Sequence, residues 1–218
     1  MAQPLVAVLD YGIGNLRSAQ KALQRQGADA RLTADLDLID QAAGLVLPGV
    51  GAFGRCMEAV EATGLDRVAR EAVAAGRPFL GICVGMQLLY EKSDEAPGRA
   101  GLGILPGVVR RLPEGVKRPQ MQWNRLSITR PSPMFDGLGE DPWVYFVHSY
   151  APEPTDDVVA TCEYGGTLVA AVQRDTVWAT QFHPEKSGAA GLRLLENFVR
   201  SLSRHEPSGR GLRGRGTQ

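Results

Sequence analysis

The run Pro78-Phe79-Leu80-Gly81-Ile82-Cys83-Val84-Gly85-Met86-Gln87 is a short apolar strand that ends in Gly-x-Cys-x-Gly. Helix-compatible Met86-Gln87-Leu88-Leu89-Tyr90 follows it directly. This is the thiol form of a nucleophile elbow, a sharp strand-to-helix turn. The flanking glycines let the backbone turn where a Cβ would clash. Such a turn exposes the sulfur at the N-terminal end of a helix, where negative charge is favoured. The competing reading is an inert buried cysteine, a common fate for a free thiol.

Upstream of the elbow the pattern is strand, glycine loop, helix, repeated. Residues 5–10 read as a buried first strand, Tyr11-Gly12-Ile13-Gly14-Asn15 as a loop, and residues 16–26 as a helix stopped by Gly27. A second strand is expected at 28–33. A third, Gly44-Leu45-Val46-Leu47-Pro48-Gly49, opens into the loop Val50-Gly51-Ala52-Phe53-Gly54. Helical patterns cover 56–62 and 65–75. This alternation predicts an α/β fold with a mostly parallel sheet between helices, ligands binding at the carboxyl ends of the strands.

After Gly107 the rhythm changes. Residues 108–112, 126–129, 143–150, 158–163, 168–174 and 177–182 are strand-like, and Tyr164-Gly165-Gly166-Thr167 suits a hairpin turn. These segments are expected to add antiparallel strands at the sheet edge and a smaller ribbon sheet. A last helix is expected at 189–203. One domain is expected over residues 1–204. Residues 205–218, with four glycines and three arginines, read as a disordered basic tail.

Composition narrows the function classes. The 218 residues carry 24 Lys+Arg against 24 Asp+Glu, so no global field points to nucleic acid or a membrane surface. No apolar stretch approaches the roughly 18 residues of a membrane span, and the start does not read as a signal peptide. Three cysteines without CxxC spacing suit a reducing cytoplasm and argue against disulfides or a zinc site. No metal and no cofactor is expected.

A nucleophilic cysteine needs a base close in space. Of three histidines, His205 lies in the tail, leaving His148 and His183. His183 sits in Gln181-Phe182-His183-Pro184-Glu185-Lys186-Ser187 at a strand end. Pro184 biases its predecessor toward extended backbone, and residues i and i+2 then project to one side. Glu185 can therefore hold the imidazole, the third role of a triad. The N–H of Val84 is one candidate oxyanion donor, and Pro48-Gly49-Val50-Gly51 can supply the other.

Together, Leu47-Pro48-Gly49-Val50-Gly51-Ala52-Phe53, the Cys83 elbow and Phe182-His183-Pro184-Glu185-Lys186-Ser187 resemble class I (triad) glutamine amidotransferases. Asp10-Tyr11-Gly12-Ile13-Gly14-Asn15-Leu16, Met121-x-Trp123-Asn124 and Tyr145-Phe146-Val147-His148-Ser149-Tyr150 narrow the resemblance to one branch. That branch is the glutaminase subunit of imidazole glycerol phosphate synthase. The resemblance covers roughly residues 5–203. It implies the flavodoxin-like class I glutamine amidotransferase fold and hydrolysis of glutamine to glutamate and ammonia. It implies catalytic Cys83, His183 and Glu185, with an oxyanion hole from Val50, Gly51 and Val84. A Val50 peptide that rearranges to complete that hole is part of the expectation. The resemblance also implies a glutamine pocket lined by Gly49, Gln87, Glu95, Ser149 and Tyr150, with Glu95 facing the α-ammonium. The implied partner is a (β/α)8 cyclase subunit that receives the ammonia in a heterodimer, met by Asn15, Trp123, Tyr145 and Lys186. His148 is expected to support the structure or the glutamine site. The family's usual Pro-His-Met-Gly-Trp-Asn is here Pro119-Gln120-Met121-Gln122-Trp123-Asn124, which opens the question of local backbone geometry. Other readings remain open: the glutaminase of a chorismate-using synthase, a non-catalytic regulatory module, or a thiol hydrolase on the same scaffold.

Overall fold

The structure, a computed structural model, describes residues 3–14, 16–140 and 142–203. The expected tail at 205–218, with His205, and the expected contact residue Asn15 lie outside the described residues. In chain order the elements are β1 Leu5–Leu9, α1 Leu16–Arg25, β2 Asp29–Thr33, α2 Leu36–Gln41, β3 Gly44–Gly49, α3 Phe53–Ala62, α4 Leu65–Ala74, β4 Phe79–Cys83 and α5 Val84–Leu88. There follow β5 Lys92–Ser93, β6 Val108–Arg111, β7 Gln120–Arg125, β8 Ser127–Ile128, β9 Trp143–His148, β10 Tyr150–Pro152, β11 Val158–Glu163, β12 Thr167–Arg174, β13 Val177–Thr180 and α6 Gly188–Leu202.

The main sheet has the order β2-β1-β3-β4-β13-β12-β11-β8. Its first five strands run parallel, the flavodoxin-like order. Strands β3 and β4 are buried at every residue, as a parallel sheet covered on both faces requires. Right-handed crossovers put helices on opposite faces as the strand order reverses at β1. Accordingly α1 packs with α6, while α3 packs with α4 and α5. Strands β12, β11 and β8 extend the edge antiparallel, and Tyr164–Thr167 forms the expected β11–β12 turn, with Gly165 and Gly166 at φ 67° and 145°.

Two differences from the sequence reading shape the site. The segment expected as one strand over 143–150 is two. It leaves its β7 partner after His148 and joins β6 at Tyr150, with the Ser149 carbonyl taking the Leu112 N–H across the break. Strand β7 was not expected, because Gln-Met-Gln-Trp-Asn-Arg has neither β-branched residues nor a core face of its own. Its pairing with β9 imposes the conformation. Gln122 sits in regular register opposite Phe146, and among the described residues only Cys83 and Asp175 are non-glycines with positive φ. The strand thus has no need of a glycine at 122.

The elbow depends on backbone contact. A Cβ on Gly85 would collide with the Leu47 carbonyl of β3, which cannot swing away as a side chain would. Gly85→Ala is therefore expected to destabilise the protein by about 2–3 kcal/mol, read as a lower urea midpoint at unchanged m value.

Candidate active site

Cys83 ends β4 and caps α5 with φ 55° and ψ −114°, a conformation a non-glycine residue holds only under constraint. The constraint is the contact between β3 and the elbow described above. The next residue, Val84, opens α5, so its N–H has no acceptor within the helix. Across the sheet, β13 runs parallel to β4 and delivers the chain to His183. His183 is extended (φ −96°, ψ 97°), as the residue before Pro184 should be, and precedes a 3₁₀ turn, Pro184–Lys186.

Glu185 turns back within that turn. Its Oε1 lies 2.7 Å from His183 Nδ1, and the two side chains are only 2% and 6% exposed. A carboxylate only accepts, so Nδ1 carries the proton and Nε2 is the free edge of the ring. Nε2 is buried with no oxygen or nitrogen partner, and the Cys83 sulfur is the group that acts on it. Burial pulls the His183 pKa down, but interactions with the Cys83 sulfur and the Glu185 carboxylate outweigh it and lift the pKa to about 9. The imidazolium is thus the favoured form near neutrality when both partners are negative. Ser187 locks this turn to β9: its hydroxyl donates to the His183 carbonyl at 2.6 Å and accepts the Tyr145 N–H at 2.9 Å.

One cavity brings most of the expected residues together. Its lining includes Cys83, His183, Val50, Gly51, Val84 and Glu95, together with Gln87, His148, Ser149 and Tyr150. Gly49 stands behind that lining. A Cβ there would meet Gly85 N at 2.7 Å and the Tyr11 hydroxyl at 2.9 Å, so its role is close approach of backbones. The Gly49–Val50 peptide is bracketed by two anchors. Tyr11 donates to the Pro48 carbonyl at 2.7 Å, and the Cys56 thiol to the Val50 carbonyl at 3.5 Å. Glu95 spends one carboxylate oxygen on the Phe53 N–H at 2.8 Å, where α3 begins. Gln87 has its amide nitrogen committed to the Tyr150 carbonyl and to Gln181.

His148 supports the far wall. Its Nδ1 is 2.8 Å from the Tyr150 carbonyl and must donate there. Burial depresses its pKa to about 4, helped by the charge of His183, so the ring is neutral near pH 7 and Nε2 accepts. The Gln120 amide, 3.0 Å away, must then present its nitrogen to Nε2 and its oxygen toward the Cys162 thiol, its other polar neighbour. This arrangement removes the buried Gln120 nitrogen from the set of unpaired groups. Between its ordinary value of 6.5 and about 4, the unfolded chain binds a proton that folded His148 refuses. Stability is therefore whole above about pH 6.5 and falls as pH drops toward 4, by about 3 kcal/mol from this group. A His148→Gln chain is expected to lose that part of the slope when urea midpoints are compared from pH 7 to pH 4.

The expected contact residues divide. Trp123 and Tyr145 pair across β7 and β9, their rings edge to face with centroids 6.1 Å apart. The alternation of the ribbon puts Met121 and Trp143 on the same face as these two, and Met121 (62%), Trp123 (46%) and Trp143 (56%) are all exposed. Lys186 is exposed on the 3₁₀ turn beside His183. Four site residues escaped the sequence reading: Tyr11, Cys56, Gln181 and Ser187. Only Gln181 carried a local signal, as a polar side chain ending the apolar run Val177-Trp178-Ala179-Thr180.

A buried thiol on a strained elbow, facing a carboxylate-held imidazole and free backbone donors, is equipped for acyl transfer through a covalent intermediate. The chain belongs to the class-I glutamine amidotransferase family, whose model matches residues 7–202. Among curated proteins it is 50% identical over 203 residues to the imidazole glycerol phosphate synthase subunit HisH of Syntrophotalea carbinolica, covering 89% of this chain and 98% of that one. It is likewise 50% identical over 196 residues to the HisH subunit of Methanothermobacter thermautotrophicus, with 89% and 98% covered. A solved structure of PurLQS from Thermotoga maritima shares the fold at 22% identity and a TM-score of 0.71, covering 92% of this chain and 99% of that one. Among the described residues no helix is long and apolar enough to cross a membrane.

Proposed function

We propose that this chain is the glutaminase subunit of an imidazole glycerol phosphate synthase, working in the cytoplasm. It hydrolyses glutamine and passes ammonia to a (β/α)8 cyclase subunit. That subunit makes imidazole glycerol phosphate and aminoimidazole carboxamide ribotide in histidine biosynthesis. The observation that carries the reaction is the meeting of Cys83 and the His183–Glu185 pair in one cavity.

The Cys83 sulfur, its proton taken by His183 Nε2, attacks the glutamine carboxamide carbon. The carbonyl oxygen becomes an oxyanion that the Val84 N–H stabilises, joined by an N–H from the Val50–Gly51 loop. The Tyr11 and Cys56 anchors leave the Gly49–Val50 peptide as the segment that can turn to supply it. His183 then gives its proton to the leaving nitrogen, the C–N bond breaks, and ammonia departs from a glutamyl thioester. Water, deprotonated by Nε2, attacks the thioester, releases glutamate and returns the thiol. Glu185 holds Nδ1 throughout and stabilises the imidazolium. The free carboxylate oxygen of Glu95 faces the α-ammonium of glutamine, and Gln87, Ser149 and Tyr150 shape the pocket around it.

The cyclase docks on the apolar ribbon face that holds Trp123 and Tyr145, with Lys186 at its edge. Aromatic residues on an exposed face are suited to anchor such a contact. Ser187 bonds both Tyr145 and His183, so this face and the imidazole share one support. The test is glutamate release from glutamine by the chain alone, then with a purified cyclase subunit and its ribotide ligand. Strong stimulation by that pair is expected. Stimulation by a chorismate-using synthase instead would keep the chemistry and change the pathway, and silence with both would overturn the reading.

A further inference from the structure

Gln181 follows β13, lies two residues before His183, is fully buried, and has no part in the chemistry above. Its neighbours fix which way its amide is turned. The Tyr150 carbonyl only accepts, so the Gln87 atom 3.0 Å from it is the amide nitrogen. That nitrogen also lies 3.0 Å from the Gln181 side chain, which must offer its oxygen there. Gln181 then turns its Nε2 to the Cys83 sulfur, 3.8 Å away, at the long end for a hydrogen bond to sulfur. Each direction follows from one backbone carbonyl, which settles an otherwise ambiguous pair of amides. The sulfur has a second neighbour of opposite kind, the Val147 carbonyl at 3.9 Å. A carbonyl suits a thiol, which can donate. An amide N–H suits a thiolate, which can only accept.

We propose that Gln181 is a further catalytic residue, an N–H donor that favours the Cys83 thiolate over the thiol before attack. The proposal rests on the reading of Cys83 as the nucleophile. In the step it assists, the proton moves from Sγ to His183 Nε2 and no other bond changes. Once the sulfur has bonded to the carboxamide carbon, its charge has passed to the oxyanion and the Gln181 contact weakens. Gln181 therefore raises the population of the attacking form while slightly lowering its reactivity, because a better-stabilised thiolate is a poorer nucleophile.

That opposition gives a signature no packing defect would produce. In Gln181→Met, which keeps the shape and removes the donor, the pH profile of Cys83 alkylation by iodoacetamide is expected to move upward by about one pH unit, tenfold in thiolate fraction. Its high-pH plateau should rise by about threefold, from a Brønsted slope of about 0.5. Modification is read by peptide mapping on the full chain, because Cys56 and Cys162 are also free. With cyclase and ligand present, kcat for glutamine should fall severalfold below the new midpoint while KM stays put. Gln181→Glu keeps the acceptor for Gln87 but faces the sulfur with an oxygen, and should shift the profile further. It decides the matter if Gln181→Met does not fold. The native chain gives an independent reading: the Gln181 side-chain amide resonance should titrate together with alkylation and stay flat in Cys83→Ala. A profile matching wild type in either folded variant, or a flat Gln181 resonance in the native chain, would overturn the proposal. Alkylation needs neither glutamine nor cyclase, so its outcome is separate from that of the pathway reading.

Discussion

Cys83→Ala is expected to release glutamate from glutamine at least about 10⁴-fold more slowly than wild type in the cyclase complex, a loss typical of removing a covalent nucleophile. Cys83 is 3% exposed and lines the cavity together with Val84 and His183. Alanine keeps the Cβ and hence the strained backbone, so the elbow should keep its shape. Binding to the cyclase should be unchanged, because Trp123 and Tyr145 belong to the separate β7–β9 ribbon. Cys83→Gly should be equally inactive yet more stable than Cys83→Ala by about 1–2 kcal/mol, since glycine removes the penalty at φ 55°. Activity above background in Cys83→Ala would end the nucleophile assignment. Equal urea midpoints for the two variants would show that the elbow stores no strain.

The parallel half of the molecule was legible because its signals are local. Strand β3 ends at Gly49 and strand β4 at Cys83, as the apolar runs and their glycines indicated. The two paired loops, at Gly49 and Cys83, sit beside one another because β3 and β4 are neighbours. The second half was less legible because its partners are distant in sequence. Strand β7 exists through β9, and the break at Ser149 exists because β6 lies beside β10. That break turns Ser149 and Tyr150 into the cavity wall, so the motif His148-Ser149-Tyr150 was recognisable while its geometry was not. The supporting side chains were hidden for a related reason. Tyr11 reaches the Pro48 carbonyl 37 positions away, and Gln181 reaches Cys83 across 98. The local pattern marks Gln181 as a polar residue at the end of an apolar run, but it names the distant partner of neither residue. The substitution at Gln120 illustrates the converse. The sequence marked it as a departure, and the fold supplies its use, as the buried amide that completes neutral His148.

Glu185→Gln is expected to lower kcat by about 10³–10⁴-fold with little change in KM, the loss seen when the acid of a triad is replaced by its amide. The carboxylate matters through direction as well as charge. As a pure acceptor 2.7 Å from Nδ1, it holds the proton on that nitrogen and leaves Nε2 open to the Cys83 proton. An amide in the same place can donate to Nδ1 instead, which puts the ring proton on Nε2, where it blocks that transfer. Glutamine matches glutamate in size, and Glu185 is absent from the lining of the main cavity, so substrate binding should be spared. Stability supplies a second readout. Folded His183 is raised from 6.5 to about 9, so its contribution is whole below about pH 6.5 and is lost as pH rises through 9. With the carboxylate gone, only the Cys83 sulfur is left to raise the imidazole against burial, so its pKa falls part of the way back. The gap in unfolding free energy between wild type and Glu185→Gln should therefore be widest near pH 6 and close above pH 9. A variant within tenfold of wild-type kcat, or a gap that does not narrow with rising pH, would show that His183 is oriented by something other than Glu185.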